Sequence, residues 1–134
     1  MMEVKFHDID AIEDSQFEFA VIVSRYMGQW VFCKNKNRKW ELPGGHREEN
    51  EAIIDTAKRE LVEETGATKF EIIPICAYSI NSFGMLYYAE IQELGELPES
   101  EIEEIGLFDN LPEELSFPKF HPRHFERVRK DKNI

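Results

Sequence analysis

The chain is short of cysteine, of positive charge and of long apolar runs, and each shortage removes a class of protein. Two cysteines occur in 134 residues, Cys33 and Cys76, each inside an apolar run. Neither belongs to a metal-like spacing, so both read as small core residues in a reducing compartment. Lys and Arg number 16 against 27 Asp and Glu, for a formal net charge of -11. A broad nucleic-acid-binding face needs clustered basic residues, so a nucleic-acid polymer is not an expected partner. A small anionic ligand remains open if a cation mediates the contact. No apolar run approaches the ~20 residues of a membrane-spanning helix. The opening stretch MMEVKFHDIDAIEDSQ lacks an apolar h-region, so it does not read as a secretion signal. The expected location is the cytoplasm.

What is present suits a single domain over residues 1–134, with one core. A hydrophobic share of 42% can pack a globule, and 12% aromatics argue against disorder. FEFAVIVS (17–24) is rich in β-branched and aromatic residues and reads as a buried strand. MGQWVFCK (27–34) turns at Gly28 and starts a second strand, giving a hairpin. NKNRK (35–39) is its polar tip, WEL (40–42) resumes extended structure, and Pro43-Gly44-Gly45 breaks it. Residues 51–65 read as a helix, capped by Asn50, ended by Gly66, with Ile54, Ala57 and Leu61 on one face. Further strands are expected over 69–80, interrupted at Pro74, over 84–94 and over 101–108. A helical turn is expected at LPEEL (111–115), and a C-terminal helix at 121–131 with Pro122 near its start. Strands on both sides of a central helix imply an α/β (α+β) fold, a mixed sheet covered by helices.

The central helix carries Glu60, Glu63 and Glu64. At about 100° per residue they share an arc of roughly 100°, beside the apolar stripe. Carboxylates crowded in this way repel one another, and a divalent cation reverses the sign of that interaction. Hard oxygen donors suit Mg2+ or Mn2+. On composition alone a solvated charged helix, with an Arg59–Glu63 pair, competes with this reading.

The spacing decides between them. Gly45, five residues, Glu51, seven residues and then RELVEETGA match G-x5-E-x7-R-E-U-x-E-E-x-G-U, where U is a bulky apolar residue. The segment resembles the motif of the Nudix hydrolase family, and the flanking WELPGG resembles the family's approach to it. Ala67, at the last U, is smaller than usual. The motif covers 23 of the 134 residues.

The resemblance implies a Nudix fold, with a loop–helix–loop motif on a mixed sheet sandwiched by helices. It implies a divalent-metal site, with Glu63 and Glu64 as leading ligands. Glu60 is then a third ligand or positions a water, and Gly44 offers its backbone carbonyl. Glu51 and Arg59 brace loop against helix, and Gly45 and Gly66 complete the motif. Many family members add an acid outside the motif as ligand or base. Glu101, Glu103 and Glu104 lie in the matching region, with Glu104 favoured beside the apolar IGLF. The catalytic set is thus Glu60, Glu63 and Glu104.

The expected reaction is metal-dependent cleavage of a diphosphate linkage in a nucleoside diphosphate derivative. The short chain resembles the antimutator, MutT-like branch, which takes nucleoside triphosphates, 8-oxo-dGTP among them, to monophosphate and pyrophosphate. ADP-ribose or another nucleotide conjugate is the alternative substrate. A nucleotide-binding sensor without catalysis is the alternative function. Family members are often dimers, so a homodimer is one expectation of the resemblance. For substrate phosphates the basic candidates are Lys34, Lys36, Arg38, Lys39 and Arg47, with Arg38 and Arg47 chosen. Phe6, Tyr78, Phe83, Tyr87 and Tyr88 are aromatic candidates, most of them expected in the core. FPKFHPRHF (117–125) gathers His121, Arg123 and His124 among phenylalanines. It could line a pocket, and it lacks the further close ligands of a zinc site.

Overall fold

The computed structural model describes residues 3–134. Its strands are β1 (Lys5–His7), β2 (Phe17–Tyr26), β3 (Gln29–Asn35), β4 (Trp40–Glu41), β5 (Gly44–His46), β6 (Ala67–Ile80), β7 (Ser82–Leu94) and β8 (Ile102–Phe108). The helices are α1 (Ile53–Thr65) and α2 (His121–Lys132), and a short 3-10 turn, Asp14–Gln16, precedes β2. All eight strands join one sheet, ordered β1-β6-β7-β2-β3-β4, with β5 added to β2 and β8 to β3. The β2–β7 pair is parallel and the other pairs are antiparallel, so the sheet is mixed as expected.

Strand alternation divides the core in two. On β2, Ile22 faces α1 and Val23 faces α2, and their partners Tyr87 and Tyr88 on β7 follow them. Ile53, Ala57 and Leu61 of α1 pack with Ala20, Ile22, Tyr87 and Ala89. Phe125 and Val128 of α2 pack with Val23, Phe32, Leu86 and Tyr88 on the other face. Both faces of β2 are covered, which explains its unbroken apolar run. Leu61 is fully buried, and its burial contributes about 2 kcal/mol. Cys33 and Cys76 are both buried and unpaired, as read from their surroundings. Among the described residues no helix is long and apolar enough to cross a membrane.

Several local expectations need correction. The helix starts at Ile53, two residues later than its charge pattern suggested, with Ala52 at the cap and no side-chain capping bond. Asn50 is instead left-handed, at φ 63. The Glu51 carboxylate is occupied elsewhere, accepting from the Thr56 hydroxyl at 2.7 Å and the Glu48 N–H at 3.1 Å. Gly66 ends α1 as expected, at φ 78, a conformation that costs glycine nothing. Pro43-Gly44-Gly45 does not stop extended structure but moves the chain from β3 onto β2. LPEEL is not helical. Trp40 N–H donates to Glu114 O at 3.1 Å, and Ser116 N–H donates to Trp40 O at 3.0 Å, holding the segment extended beside β4. Pro74 interrupts β6 only as a bulge before Cys76. The three-residue edge strand β1 is too short to have a readable alternation.

Candidate active site

Two glycines bring β5 against the acidic face of α1. A Cβ on Gly45 would come within 2.6 Å of Glu60 Cδ, and one on Gly44 within 2.4 Å of Ala20 O. The missing side chains let the strand fit between β2 and the glutamates. Gly44 N–H donates to Glu64 Oε1 at 2.7 Å. Gly44 lies opposite Val21, between the flanking bonds Ile22 N–H to Pro43 O and Arg47 N–H to Glu18 O. Ladder alternation therefore turns its carbonyl away from β2, to the side of its N–H.

Arg59 organises the acids around it. Its Nε donates to Glu51 Oε2 at 2.8 Å, and one Nη donates to Glu51 Oε1 and to His46 O, each at 3.0 Å. The other Nη donates to Glu60 Oε1 at 2.6 Å and lies 3.5 Å from Glu63 Oε2. Glu48 Oε1 is 3.0 Å from Nε. Glu51, in the loop before α1, and Arg59, on α1, are thus joined by two hydrogen bonds. These bonds pull the Glu51 carboxyl down to about 2, with the Thr56 hydroxyl and Glu48 N–H assisting. A depressed folded-state pKa gives stability above the unfolded value near 4.5 and loses it as pH falls toward 2. Acid melting should therefore separate wild type from Glu51→Gln at pH 5–7, and the gap should close between about pH 4.5 and 2. A gap that is constant with pH would show that Glu51 contributes by shape alone.

Glu60, Glu63 and Glu64 line one open cavity of about 730 Å³, together with Gly44, Gly45, Arg38, Glu101 and His121. Burial raises the Glu60 carboxyl above its ordinary value, against the pull of Arg59. Burial pushes Glu64 up to about 8, and repulsion from Glu60, Glu41 and Glu63 adds to it while the Gly44 N–H opposes. Of Glu101, Glu103 and Glu104, the acids that follow the motif, Glu101 lines the cavity. Glu104 stands apart, half-exposed, opposite Lys34 and 3.9 Å from its Nζ. A bulge opposite Lys34/Asn35 shifts β8 by one residue, which defeats simple alternation. Arg38 lines the cavity and lies 3.3 Å from Glu41 Oε2. Arg47 does not join it. Its guanidinium donates to Asp14 O and Ser15 O, each at 2.7 Å, and lines a neighbouring hollow. Lys36 lies on another hollow, beside Ser100 and Glu103.

Sequence reasoning missed Glu41. It is 7% exposed, lines the cavity, and accepts from Asn35 Nδ2 at 3.3 Å, while Oε2 has no hydrogen-bond partner. The available signal was its place between Trp40 and Leu42, whose side chains go to the opposite, apolar face. His121 also lines the cavity, and Leu42 N–H donates to its Nδ1 at 3.2 Å. Tyr78 borders the cavity from the core, while Tyr87 and Tyr88 are core residues.

A family model described as the NUDIX domain matches residues 11–130. The chain belongs to the Nudix family. A Bacillus subtilis relative, YtkD, described as a candidate 8-oxo-dGTP diphosphatase, is 32% identical over 102 residues, covering 71% of this chain and 64% of that protein. The chain thus spans less than two thirds of that relative's length. The crystal structure of the Bacillus subtilis pyrophosphohydrolase BsRppH superposes with a TM-score of 0.79 at 25% identity, covering 95% of this chain and 90% of that one. An ADP-ribose pyrophosphatase from Streptococcus suis shares the fold, with a TM-score of 0.69 at 16% identity, over 87% and 91% of the two chains.

The Nudix motif therefore sits where its carboxylates face a cavity. Among the described residues, no three acidic, histidine or cysteine side chains already converge as a cage. Arg59 holds Glu60, and Gly44 holds Glu64. The donor set nevertheless fits a hard divalent cation. Its oxygens are carboxylates, and burial, with Glu60, Glu41 and Glu63 nearby, makes Glu64 costly to ionise without a counter-charge.

Proposed function

We propose that this Nudix protein hydrolyses a nucleoside triphosphate to the monophosphate and pyrophosphate, with Mg2+ or Mn2+ as cofactor and an oxidised guanine nucleotide of the 8-oxo-dGTP kind as substrate. The observation that carries the reaction is the row of Glu60, Glu63 and Glu64 at motif spacing along one open cavity. The likeness to YtkD supports the substrate. With Glu60 beside them for the water, Glu63, Glu64 and the Gly44 carbonyl would hold the cation. When bound, it supplies a Lewis acid to the diphosphate and offsets the repulsion between a polyphosphate and a chain of net charge -11.

The protein's own groups then divide the remaining work. Arg59 fixes one oxygen of Glu60, leaving the other to accept a proton from water. The water oxygen bonds to phosphorus, the anhydride P–O bond breaks, and pyrophosphate leaves with the electron pair. Of the acids that follow the motif, Glu101 borders this cavity and is a better candidate there than Glu104. Arg38 is placed to meet a phosphate on exchanging its Glu41 contact. A sensor without catalysis has no need of the complete glutamate set.

A phosphate-release screen tests this. Purified protein with Mg2+, Mn2+ or EDTA meets nucleoside triphosphates, 8-oxo-dGTP, ADP-ribose, NADH and dinucleoside polyphosphates, with Glu63→Gln in parallel. The expected result is metal-dependent pyrophosphate release from 8-oxo-dGTP, reduced about 10²-fold or more in the variant. Cleavage of ADP-ribose alone would reassign the substrate. Nucleotide-induced stabilisation without turnover would favour the sensor.

A further inference from the structure

His121, at the start of α2, lines the cavity yet is only 8% exposed. Leu42 N–H donates to its Nδ1 at 3.2 Å. A ring nitrogen that accepts carries no hydrogen, and a neutral imidazole has one N–H, so that hydrogen is on Nε2. Burial lowers the group to about 4, which keeps the ring neutral at pH 7. Among the described residues no protein group is seen to take the Nε2 hydrogen, and the nitrogen is not among the sealed, unpartnered atoms of the core, unlike both nitrogens of His124. His121 therefore presents a fixed, uncharged donor to the cavity.

Its surroundings suit a flat ligand. The Phe117 ring, 36% exposed, lies 5.1 Å from the imidazole centroid, tilted by 58°, and Tyr78 borders the same space. Aromatic faces stack on any nucleobase. A phosphate would be drawn instead to a cation bound at Glu63 and Glu64.

We propose that His121 reads the base of the nucleotide, donating Nε2–H to the oxygen at purine C6 or pyrimidine C4, so that the site prefers bases with a keto group there (guanine, hypoxanthine, uracil or thymine) to those with an amino group there (adenine or cytosine). This rests on the nucleotide reading above. A free imidazole could exchange tautomers and accept from an amino group. Here the exchange would set the ring N–H against the Leu42 N–H and leave that buried donor unpaired. The lock converts an adaptable side chain into a donor only. Exocyclic atoms project furthest from a base edge, so the donor meets them before any ring nitrogen.

The test is equilibrium binding of nucleoside monophosphates, which needs no turnover. GMP is compared with 2-aminopurine riboside monophosphate, which lacks the 6-oxo group, in wild type and in His121→Asn. The Asn oxygen stands near the former Nδ1 and keeps the Leu42 N–H satisfied, while its amide falls short of the former Nε2. Wild type should bind GMP about ten-fold more tightly, and in the variant the ratio should fall to within about two-fold at an unchanged melting temperature. The same ratio in both proteins would make His121 a backbone cap and overturn the proposal. A second comparison, UMP against CMP, uses wild type alone and decides the matter if the variant misfolds. Equal binding, or no binding of UMP at millimolar concentration, overturns the proposal as well. Pyrophosphate release, followed in the same preparations, separates the two readings. Selective binding without release sinks the hydrolase and leaves the base reader standing.

Discussion

Glu64→Gln is expected to abolish most turnover and, in metal-free protein at alkaline pH, to raise the melting temperature. Under the proposed function the carboxylate helps to hold the cation, so its loss should reduce pyrophosphate release by about 10³-fold. The stability effect has the opposite sign because Glu64 is costly without a cation. Burial, then Glu60, Glu41 and Glu63, raises it from 4.5 to about 8. With a folded-state value above the unfolded one, its contribution is fully present below about pH 4.5 and is lost as pH rises through 8. A glutamine carries no charge at any pH and can still accept the Gly44 N–H. The variant should therefore melt above wild type at pH 9 in EDTA and near it at pH 5. Mg2+ or Mn2+ should raise the wild-type melting temperature and leave the variant almost unmoved, because ligand stabilisation requires binding. Scanning fluorimetry at both pH values, with EDTA or metal, checks this. A variant less stable than wild type at pH 9 in EDTA would show that the carboxylate supports the fold rather than straining it.

The parts of the site legible in the sequence are those whose geometry one helix determines. Glu60, Glu63 and Glu64 share a face because three- and four-residue steps return to it, and Arg59 and Glu51 stand only eight residues apart within the motif. The strands β2 and β7 were equally plain, since both faces of each are apolar. What escaped was set by pairing between distant strands. Glu41 reaches the glutamates because β4 and β5 attach to different neighbours, and no local pattern encodes that step. Glu101 lines the cavity and Glu104 does not, and the β8 bulge that leaves Glu103 without a partner in the ladder has no local signal in the sequence. Arg47 reads as free for phosphate because its partners, the Asp14 and Ser15 carbonyls and the Asp14 carboxylate, lie 32 and 33 residues away, beyond any local charge pattern. His121 was singled out within FPKFHPRHF, but its donor role depends on Leu42, 79 residues distant.

Removing the hub, Arg59→Ala, should cost more stability than removing any one of its acids. The guanidinium is 25% exposed, and it neutralises Glu51 and Glu60, whose side chains are 15% and 13% exposed. Breaking a fully buried ion pair from one side costs about 3–5 kcal/mol, and the partial exposure here lowers that to about 2–3 kcal/mol. For a chain of this size the corresponding fall in melting temperature is about 6–12 °C. The acid profile should change as well. Without its main partner Glu51 loses its depressed value, so the stability that wild type sheds between about pH 4.5 and 2 should already be absent at pH 5. Arg59→Lys should recover part of the charge term only, since an ammonium cannot reproduce the fork shared by Glu51, Glu60 and His46 O. Both variants should release pyrophosphate about 10²-fold more slowly, because Glu60 loses the contact that fixes its free oxygen. Metal should protect Arg59→Ala more than wild type in thermal melts, the cation becoming the main counter-charge left beside Glu60 and Glu63. If Arg59→Ala melts with wild type and keeps its acid profile, the hub is only a solvated cluster and Glu60 owes its position to Gly45 alone.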